Sequence, residues 1–331
     1  MDSPIDSIIS CDWGTSALRL RLVDTASATV LAEVTTPEGI ANTFEAWKKT
    51  GKGEEERIVF YQSKLSEQII KLEQQLRHSL DHIPLVISGM ASSNIGMIEL
   101  PYKEVPFAIN EPGLTIKKTE ATTRFKHSIL LISGVKTNDD AMRGEETQLT
   151  GCLNENQTGE QLFIFPGTHS KHVRVKDQFI TGIKTYMTGE FFELLSTKSI
   201  LSSSIERGKG FDDEANKKGF TEGVKTSRQS NLLHNSFLAR TNHLFKKLTK
   251  QENYYYLSGL IIGTELGEIP VNNNPITLVA AGEMQQLYSA ALHALQAADE
   301  KKNVGVEDPD WALVKGQLKV LKYFDGNSKL A

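Results

Sequence analysis

The chain has 331 residues, of which 39% are hydrophobic and 24% charged, with a formal net charge of −4. That length can bury one large or two medium cores. The mild acidity gives no electrostatic reason for a nucleic-acid or anionic-membrane partner. No apolar run approaches the ~20 residues that span a bilayer, and the start Met1-Asp2-Ser3-Pro4 lacks a basic, apolar secretory leader. Cys11 and Cys152 are too few for a disulfide framework, so a cytoplasmic protein is expected.

Ile8 to Ser10 reads as a strand entering the polar turn Gly14-Thr15-Ser16, and Leu18, Leu20 and Leu22 then alternate with Arg19, Arg21 and Val23. This is the pattern of a β-hairpin. Glycine with two hydroxyl residues at its tip suits phosphate oxygens, and Asp12 just before it could hold Mg²⁺ through water. A plain hairpin turn is the competing reading. Thr29 to Thr35 is expected as a third strand, Lys48 to Arg57 as a loop, and Ile58 to Leu80 as a helix on apolar spacing.

Pro84 to Met90 reads as a buried strand ending at Gly89, followed by Ser92, Ser93 and Asn94. In parallel α/β sheets ligands meet the carboxyl ends of strands, so these polar residues are candidates for reading substrate hydroxyls. A surface loop competes with that reading. Leu100 to Gly113 is broken by proline, and Ser128 to Ser133 is a further strand. It leads to Asp139-Asp140-Ala141-Met142-Arg143-Gly144-Glu145-Glu146-Thr147-Gln148, too polar for a core, where a helix is expected to open at the Glu-Glu-Thr-Gln end. A hinge is expected around 136–160.

Leu162 to Val175 repeats the first hairpin, with Pro166-Gly167-Thr168-His169-Ser170-Lys171 at its turn and Phe179 to Tyr186 as its third strand. Two such units imply a duplicated α/β domain whose glycine turns could clamp a polyphosphate. His169 and His172 lie three apart, without a nearby Cys or acidic cluster to complete a zinc site. Thr188 is expected to cap a helix. Short helices and a loop are expected over Ser202 to Arg228, then helices over Leu232 to Leu248 and Tyr254 to Gly263. Ile276 to Glu283 is a strand entering a small-residue turn, Met284 to Ala298 a helix, and the tail from Trp311 to Phe324 a closing strand or helix.

With these segments in hand, the chain resembles the 2-dehydro-3-deoxygalactonokinases, sugar-acid kinases of the actin, hexokinase and heat-shock-chaperone superfamily. The resemblance rests on Asp12-Trp13-Gly14-Thr15-Ser16 with Arg19, Gly89-Met90, Pro101-Tyr102, Met142 to Gln148, Pro166 to Lys171, Met187-Thr188-Gly189-Glu190, and Ser258 to Gly263 with Glu265. It departs at Ser92, Met97 and His172, where glycine, tryptophan and tryptophan are usual. The resemblance implies two ribonuclease-H-like (actin-like ATPase) domains of α/β class, with mixed five-stranded sheets around a central cleft. Domains of 1–140 and 141–331 are expected.

It also implies ATP-dependent phosphorylation of the 6-hydroxyl of 2-dehydro-3-deoxy-D-galactonate in galactonate catabolism. Gly14, Thr15, Ser16, Gly167 and Thr168 would flank the ATP phosphates, and Ala281-Gly282 would lie near adenosine. Phosphoryl transfer needs neutralised phosphate charge, an aligned hydroxyl and a proton acceptor. Asp140 is the expected acceptor, with Asp139 as its rival. Arg143 either binds the substrate carboxylate through paired hydrogen bonds or braces Glu145 or Glu146, and Met90, Ser92, Ser93 and Glu145 complete the substrate side. Lys171 either contacts phosphate or only starts its strand, and His169 is either a site hydrogen-bonder or structural. The expected partner is a small sugar acid, with a homodimer as the assembly to test. The competing class is an ATP-driven binding protein of the same superfamily, and another sugar kinase is the nearer alternative.

Overall fold

The computed structural model describes residues 5–109, 113–154, 158–270, 274–295 and 304–328. Of the segments named above, Met1 to Pro4, Asn110 to Pro112, positions 155–157 in the expected hinge and Gln296 to Ala298 lie outside them. The chain divides into two compact units, 1–158 with 176–183 and 309–331, and 159–175 with 184–308.

The first unit opens with β1 (Ser7–Trp13), β2 (Leu18–Asp24) and β3 (Val30–Thr36), then α1 (Ile40–Lys48) and α2 (Arg57–Leu76). It continues with β4 (Leu85–Gly89), β5 (Lys103–Glu104), β6 (Phe107–Ala108), β7 (Ile116–Thr119), β8 (Ile129–Ile132), β9 (Val135–Lys136), β10 (Ala141–Met142) and α3 (Glu145–Cys152). Its main sheet runs β3-β2-β1-β4-β8-β7. β1 pairs antiparallel with β2 in the register Asp12 opposite Arg19, and parallel with β4 in the register Asp12 opposite Ser88. The hairpin forms because Ile9, Cys11, Trp13, Leu18, Leu20 and Leu22 all enter one core. On α2, Tyr61, Leu65, Ile69 and Leu72 face that core, whereas Val59 and Ile70 are exposed. The helix stops at Leu76 because Arg77 takes a left-handed φ of 62°, so Leu80 is buried from the following turn.

β11 (Glu160–Phe165) and β12 (Ser170–Lys176) open the second unit, β13 (Phe179–Tyr186) belongs to the first unit as far as residue 183, and α4 (Thr188–Glu193), α5 (Glu214–Thr226), α6 (Leu232–Leu244) and α7 (Lys250–Leu266) follow in the second. β14 (Ile276–Val279), α8 (Gly282–Leu295) and β15 (Val304–Glu307) follow, and α9 (Pro309–Ser328) returns to the first unit. The strand order is β15-β14-β11-β12-β13 with β6 at the edge. Each sheet thus repeats one plan: an antiparallel hairpin-led trio beside parallel strands. Among the described residues each has six strands rather than the expected five, because β7 adds antiparallel to β8 and β6 adds to the Phe179–Ile180 end of β13.

The expected boundary at 140/141 falls inside the first unit. The physical reason is the packing of α3 against α9. A Cβ on Gly151 would lie 1.8 Å from the Ala312 carbonyl oxygen, and one on Gly316 would lie 1.9 Å from that of Thr147. Reciprocal glycines therefore let the two helix backbones touch. Gln317, fully buried on α9, donates to the Cys11 carbonyl and to Ser88 Oγ at 3.0 and 2.9 Å, which fixes the helix against β1 and β4. Among the described residues, no helix is long and apolar enough to cross a membrane.

Candidate functional site

In the first unit, the candidate residues gather around Gly89 at the end of β4. Gly89 and Gly144 both adopt positive φ, 91° and 115°, a conformation that disfavours other residues. A Cβ on Gly144 would lie 3.4 Å from the Gly89 Cα, and one on Gly89 would lie 3.6 Å from Asp12 Oδ1. Asp12, the Met90–Ser93 turn and the Arg143 loop therefore meet at one point. Burial pushes the Asp12 carboxyl up, while the Arg19 and Arg21 guanidiniums pull it down. A quarter of the side chain is open to solvent, which limits the upward push, and Arg19 Nη1 stands 3.4 Å from Oδ2.

The Gly14–Ser16 turn is closed by the Gly14 N–H, which donates to the Ala17 carbonyl at 2.9 Å. The carbonyls of Gly14 and Thr15 accept from Ile40 and Ala41 at the start of α1. Gly14 is thereby occupied in shaping the turn, and Thr15 and Ser16 are its exposed tip.

Ser92 and Ser93 do not stand out as hydroxyl readers: both are buried. Ser93 Oγ donates to the Met90 carbonyl at 2.7 Å. Arg143 Nη1 donates to Ser92 Oγ at 2.6 Å and to the Ser92 carbonyl at 2.7 Å. The guanidinium lies over the Tyr102 ring, 4.1 Å from its centroid, a favourable cation–π placement. Its Nε is buried with no hydrogen-bond partner among the described residues.

Glu145 and Glu146, the partners in the alternative role of Arg143, also hold backbone donors beside it. Glu145 accepts the Arg143 backbone N–H at 3.1 Å, and Glu146 accepts the Gly144 N–H at 2.7 and 2.9 Å. These acids satisfy the donors that lead into α3. Burial, then Glu145, pushes the Glu146 carboxyl up to about 8. A carboxyl raised in the folded state from 4.5 contributes stability that is complete below about 4.5 and is lost as pH rises to about 8. The slope is about 1.4 kcal/mol per pH unit. Glu146→Gln, neutral throughout, is therefore expected to gain on the parent protein as pH rises from 5 to 8, by a few degrees in Tm. Thermal melts across that range test this, and a difference that does not change with pH would refute it.

Asp139 and Asp140 sit at the β9–β10 turn, closed by the Thr137 N–H donating to the Asp140 carbonyl at 2.8 Å. Asp139 is exposed and Asp140 half-buried. Asp140 Oδ1 accepts the Ala141 N–H at 2.9 Å, and its own N–H donates to Thr137 Oγ1 at 2.9 Å. Its carboxylate is thus oriented by the backbone, three residues before Arg143.

In the second unit, the turn Pro166–His169 rests on α4. A Cβ on Gly189 would come within 2.7 Å of the Gly167 carbonyl and 2.8 Å of the Thr168 Cα, so only glycine allows this approach. The Glu190 N–H donates to the Thr168 carbonyl at 3.1 Å, and the Glu190 carboxylate holds His169 Nε2 at 2.5 Å. Thr188 is not the expected cap. Met187 precedes α4 without a side-chain cap bond, and the Thr188 hydroxyl instead donates to buried Glu265. Lys171 is 8% exposed and its Nζ donates to Thr185 Oγ1 at 3.0 Å, on the neighbouring strand. A lysine so enclosed supports the strand-start reading over phosphate contact, and His169 is the half-exposed basic group at the turn.

Ala281 and Gly282 are exposed at the start of α8, with Gly282 at φ 59° and no atom within 4 Å of an added Cβ. Beside them Glu283 accepts from Tyr255 Oη at 2.8 Å and from Arg207 at 2.9 Å. Sequence reasoning missed Glu265 as a polar centre. The available signal was an acid in the otherwise apolar run of α7.

Comparison with known proteins agrees with these motifs. The family described as 2-keto-3-deoxy-galactonokinase matches residues 12–308. A Rhizobium meliloti (strain 1021) protein named as a probable 2-dehydro-3-deoxygalactonokinase is 30% identical over 92% of this chain and 93% of its own length. The 2-dehydro-3-deoxygalactonokinase of Escherichia coli (strain K12) is 32% identical over 64% of this chain and 71% of its own. A crystal structure of a Sinorhizobium meliloti protein, provisionally named as the same kinase, superposes with a TM-score of 0.78 at 28% identity, covering 95% of this chain and 96% of the other. The chain belongs to the 2-keto-3-deoxy-galactonokinase family, whose members are sugar-acid kinases.

Proposed function

We propose that this protein transfers the γ-phosphoryl group of ATP to the 6-hydroxyl of 2-dehydro-3-deoxy-D-galactonate, within galactonate catabolism in the cytoplasm. The observation that carries the reading is Arg143. Its Nη1 is committed to Ser92 and its face to Tyr102, yet its buried Nε has no hydrogen-bond partner among the described residues. A buried donor without an acceptor is costly, and Nε and Nη2 form the edge of a guanidinium that takes a carboxylate side-on. A sugar acid brings that carboxylate; a neutral sugar does not.

In the proposed reaction, O6 of the substrate attacks the γ-phosphorus of ATP, the bond to the β–γ bridging oxygen breaks, and ADP leaves. Asp140 takes the hydroxyl proton and later returns it to solvent. Thr15, Ser16, Gly167 and Thr168 are the proposed phosphate contacts, with His169, steadied by Glu190, in place of Lys171. Ala281 and Gly282 form the adenosine-side surface, where the absence of a Cβ leaves room for a flat ring. The proposed magnesium ligand is Asp12, acting through water. Magnesium needs only one or two protein carboxylates beside phosphate oxygens, so a partly exposed single carboxylate fits. When bound, the ion would supply positive charge to the phosphates; Arg19 would have to yield part of its contact with Asp12.

A panel of sugar acids and neutral sugars with ATP, scored by ADP release, tests the reading. The 2-dehydro-3-deoxy-galactonate is expected to give the highest kcat/KM. Steady ATP hydrolysis insensitive to every acceptor would instead support an ATP-driven binding protein, and a preferred neutral sugar would remove the role given to Arg143.

A further inference from the structure

The polar centre of the second unit is Glu265, and neither the fold nor the phosphate contacts alone account for it. Its side chain is 1% exposed. Oε1 accepts from His172 Nε2 on β12 at 2.9 Å. Oε2 accepts from Tyr288 Oη on α8 at 2.7 Å and from the hydroxyl of Thr188, the first residue of α4. A buried carboxyl group is tolerated only with such compensation, and simple packing would have used an apolar side chain at lower cost.

Both supports of the phosphate turn converge on this group. Ser170 Oγ lies 2.9 Å from Tyr288 Oη and 3.3 Å from the Phe165 carbonyl, and with the Tyr288 proton given to Glu265 the single hydroxyl proton of Ser170 serves one of these two acceptors at a time. Phe165 and Ser170 are the residues on either side of Pro166–His169, so the two ends of the turn are tied through Tyr288 to Glu265. From below, Thr188 fixes the start of α4, where Gly189 touches Gly167 and the Glu190 N–H holds the Thr168 carbonyl. Tyr288 also belongs to the helix that begins at Gly282, the adenosine-side turn. One carboxyl group therefore links the two nucleotide-facing turns of this unit.

We infer that Glu265, acting through Tyr288 and Thr188, is a positioning residue for ATP: it sets the phosphate turn and the adenosine-side helix in mutual register. The inference rests on the assignment of Gly167-Thr168 to phosphate. It does not depend on which acceptor the enzyme phosphorylates.

The test measures Mg-ATP binding to the full chain by titration without acceptor, and separately the KM for the sugar acid. Tyr288→Phe keeps the ring and loses the hydroxyl; Thr188→Val keeps the shape and loses the hydroxyl; Thr188→Ser keeps the hydroxyl. The first two are expected to weaken Mg-ATP binding about 10- to 100-fold, as for a small displacement of binding groups. Thr188→Ser should bind within about threefold of the parent, and the sugar-acid KM should change little in all three, since a general loss of structure would alter both. Gly167→Val, at a position with nothing within 4 Å of an added Cβ, checks the underlying assignment. If it weakens Mg-ATP binding while Tyr288→Phe and Thr188→Val do not, the positioning inference is overturned and the phosphate turn stands. If Gly167→Val binds as the parent does, the phosphate assignment fails and the inference fails with it.

Discussion

Asp140→Asn is expected to lower kcat by about a thousandfold, within the 10²–10⁴ contributed by a positioned general base, while leaving Mg-ATP affinity unchanged. Asparagine retains an oxygen that can accept the Ala141 N–H, as Asp140 Oδ1 does at 2.9 Å, so the β9–β10 turn should survive. What is lost is the capacity to take a proton from the 6-hydroxyl. Asp139 shares the turn, but its carboxylate is exposed and its neighbours orient only its backbone N–H, through Thr137 Oγ1 at 3.2 Å. Asp139→Asn should therefore stay within about threefold of the parent, the usual scale of a surface change. Steady-state kcat with both substrates saturating, paired with a nucleotide titration, decides the matter. If Asp140→Asn keeps more than a tenth of the turnover, Asp140 is not the base; a collapse in Asp139→Asn would transfer the role.

Asp140 was reached through its place in the motif shared with the family, whereas the main elements of the fold were legible for physical reasons. Leu18, Leu20 and Leu22 alternate because β2 buries one core-facing row against β1, and the same plan recurs at Leu162 to Val175. Long elements with a strong period were therefore legible, including α2 and the apolar α7. Short ones were not. β5, β6, β9 and β10 have two residues each, too few for any period; β5 and β6 are set by pairing with the remote β9 and β13, and β10 by pairing with β9 across a short turn. β6 owes its place to Phe179 and Ile180, and so the sixth strand of that sheet could not be counted in advance.

Side-chain direction was the other gap. Ser92, Ser93 and Lys171 have the chemistry of ligand contacts, yet their polar atoms turn to Arg143, Met90 and Thr185. On β12, consecutive residues Ser170 to Val173 are all buried, so alternation does not say which side chain reaches a ligand. Ser258 to Gly263, expected within a helix, also belongs to the motifs shared with the family. Its glycines serve packing: a Cβ on Gly259 would lie 2.1 Å from the Phe220 carbonyl on α5. The polar group of that helix lies two residues past the motif, at Glu265.

Arg143→Ala should raise the KM for the sugar acid about 10- to 100-fold, with the KM for ATP changed by less than threefold. The magnitude follows from losing charge-assisted hydrogen bonds worth about 1.5–3 kcal/mol. The asymmetry follows from the position of the residue, anchored by Nη1 to Ser92 and stacked on Tyr102, far from having any bond to the Gly14–Ser16 turn. Arg143→Lys is the sharper variant. It keeps the charge but not the planar fork, and one ammonium cannot bond Ser92, cover Tyr102 and present two parallel donors at once. It should therefore recover little of the lost affinity for the acid. A neutral analogue, in which the carboxylate is replaced by a primary amide, should be a poor substrate for the parent and should lose little further with Arg143→Ala, because the interaction it lacks is the one the variant removes. Equal losses for acid and amide, or equal shifts in the KM of acid and ATP, would show that Arg143 braces the Met90–Ser93 turn and reads nothing on the substrate.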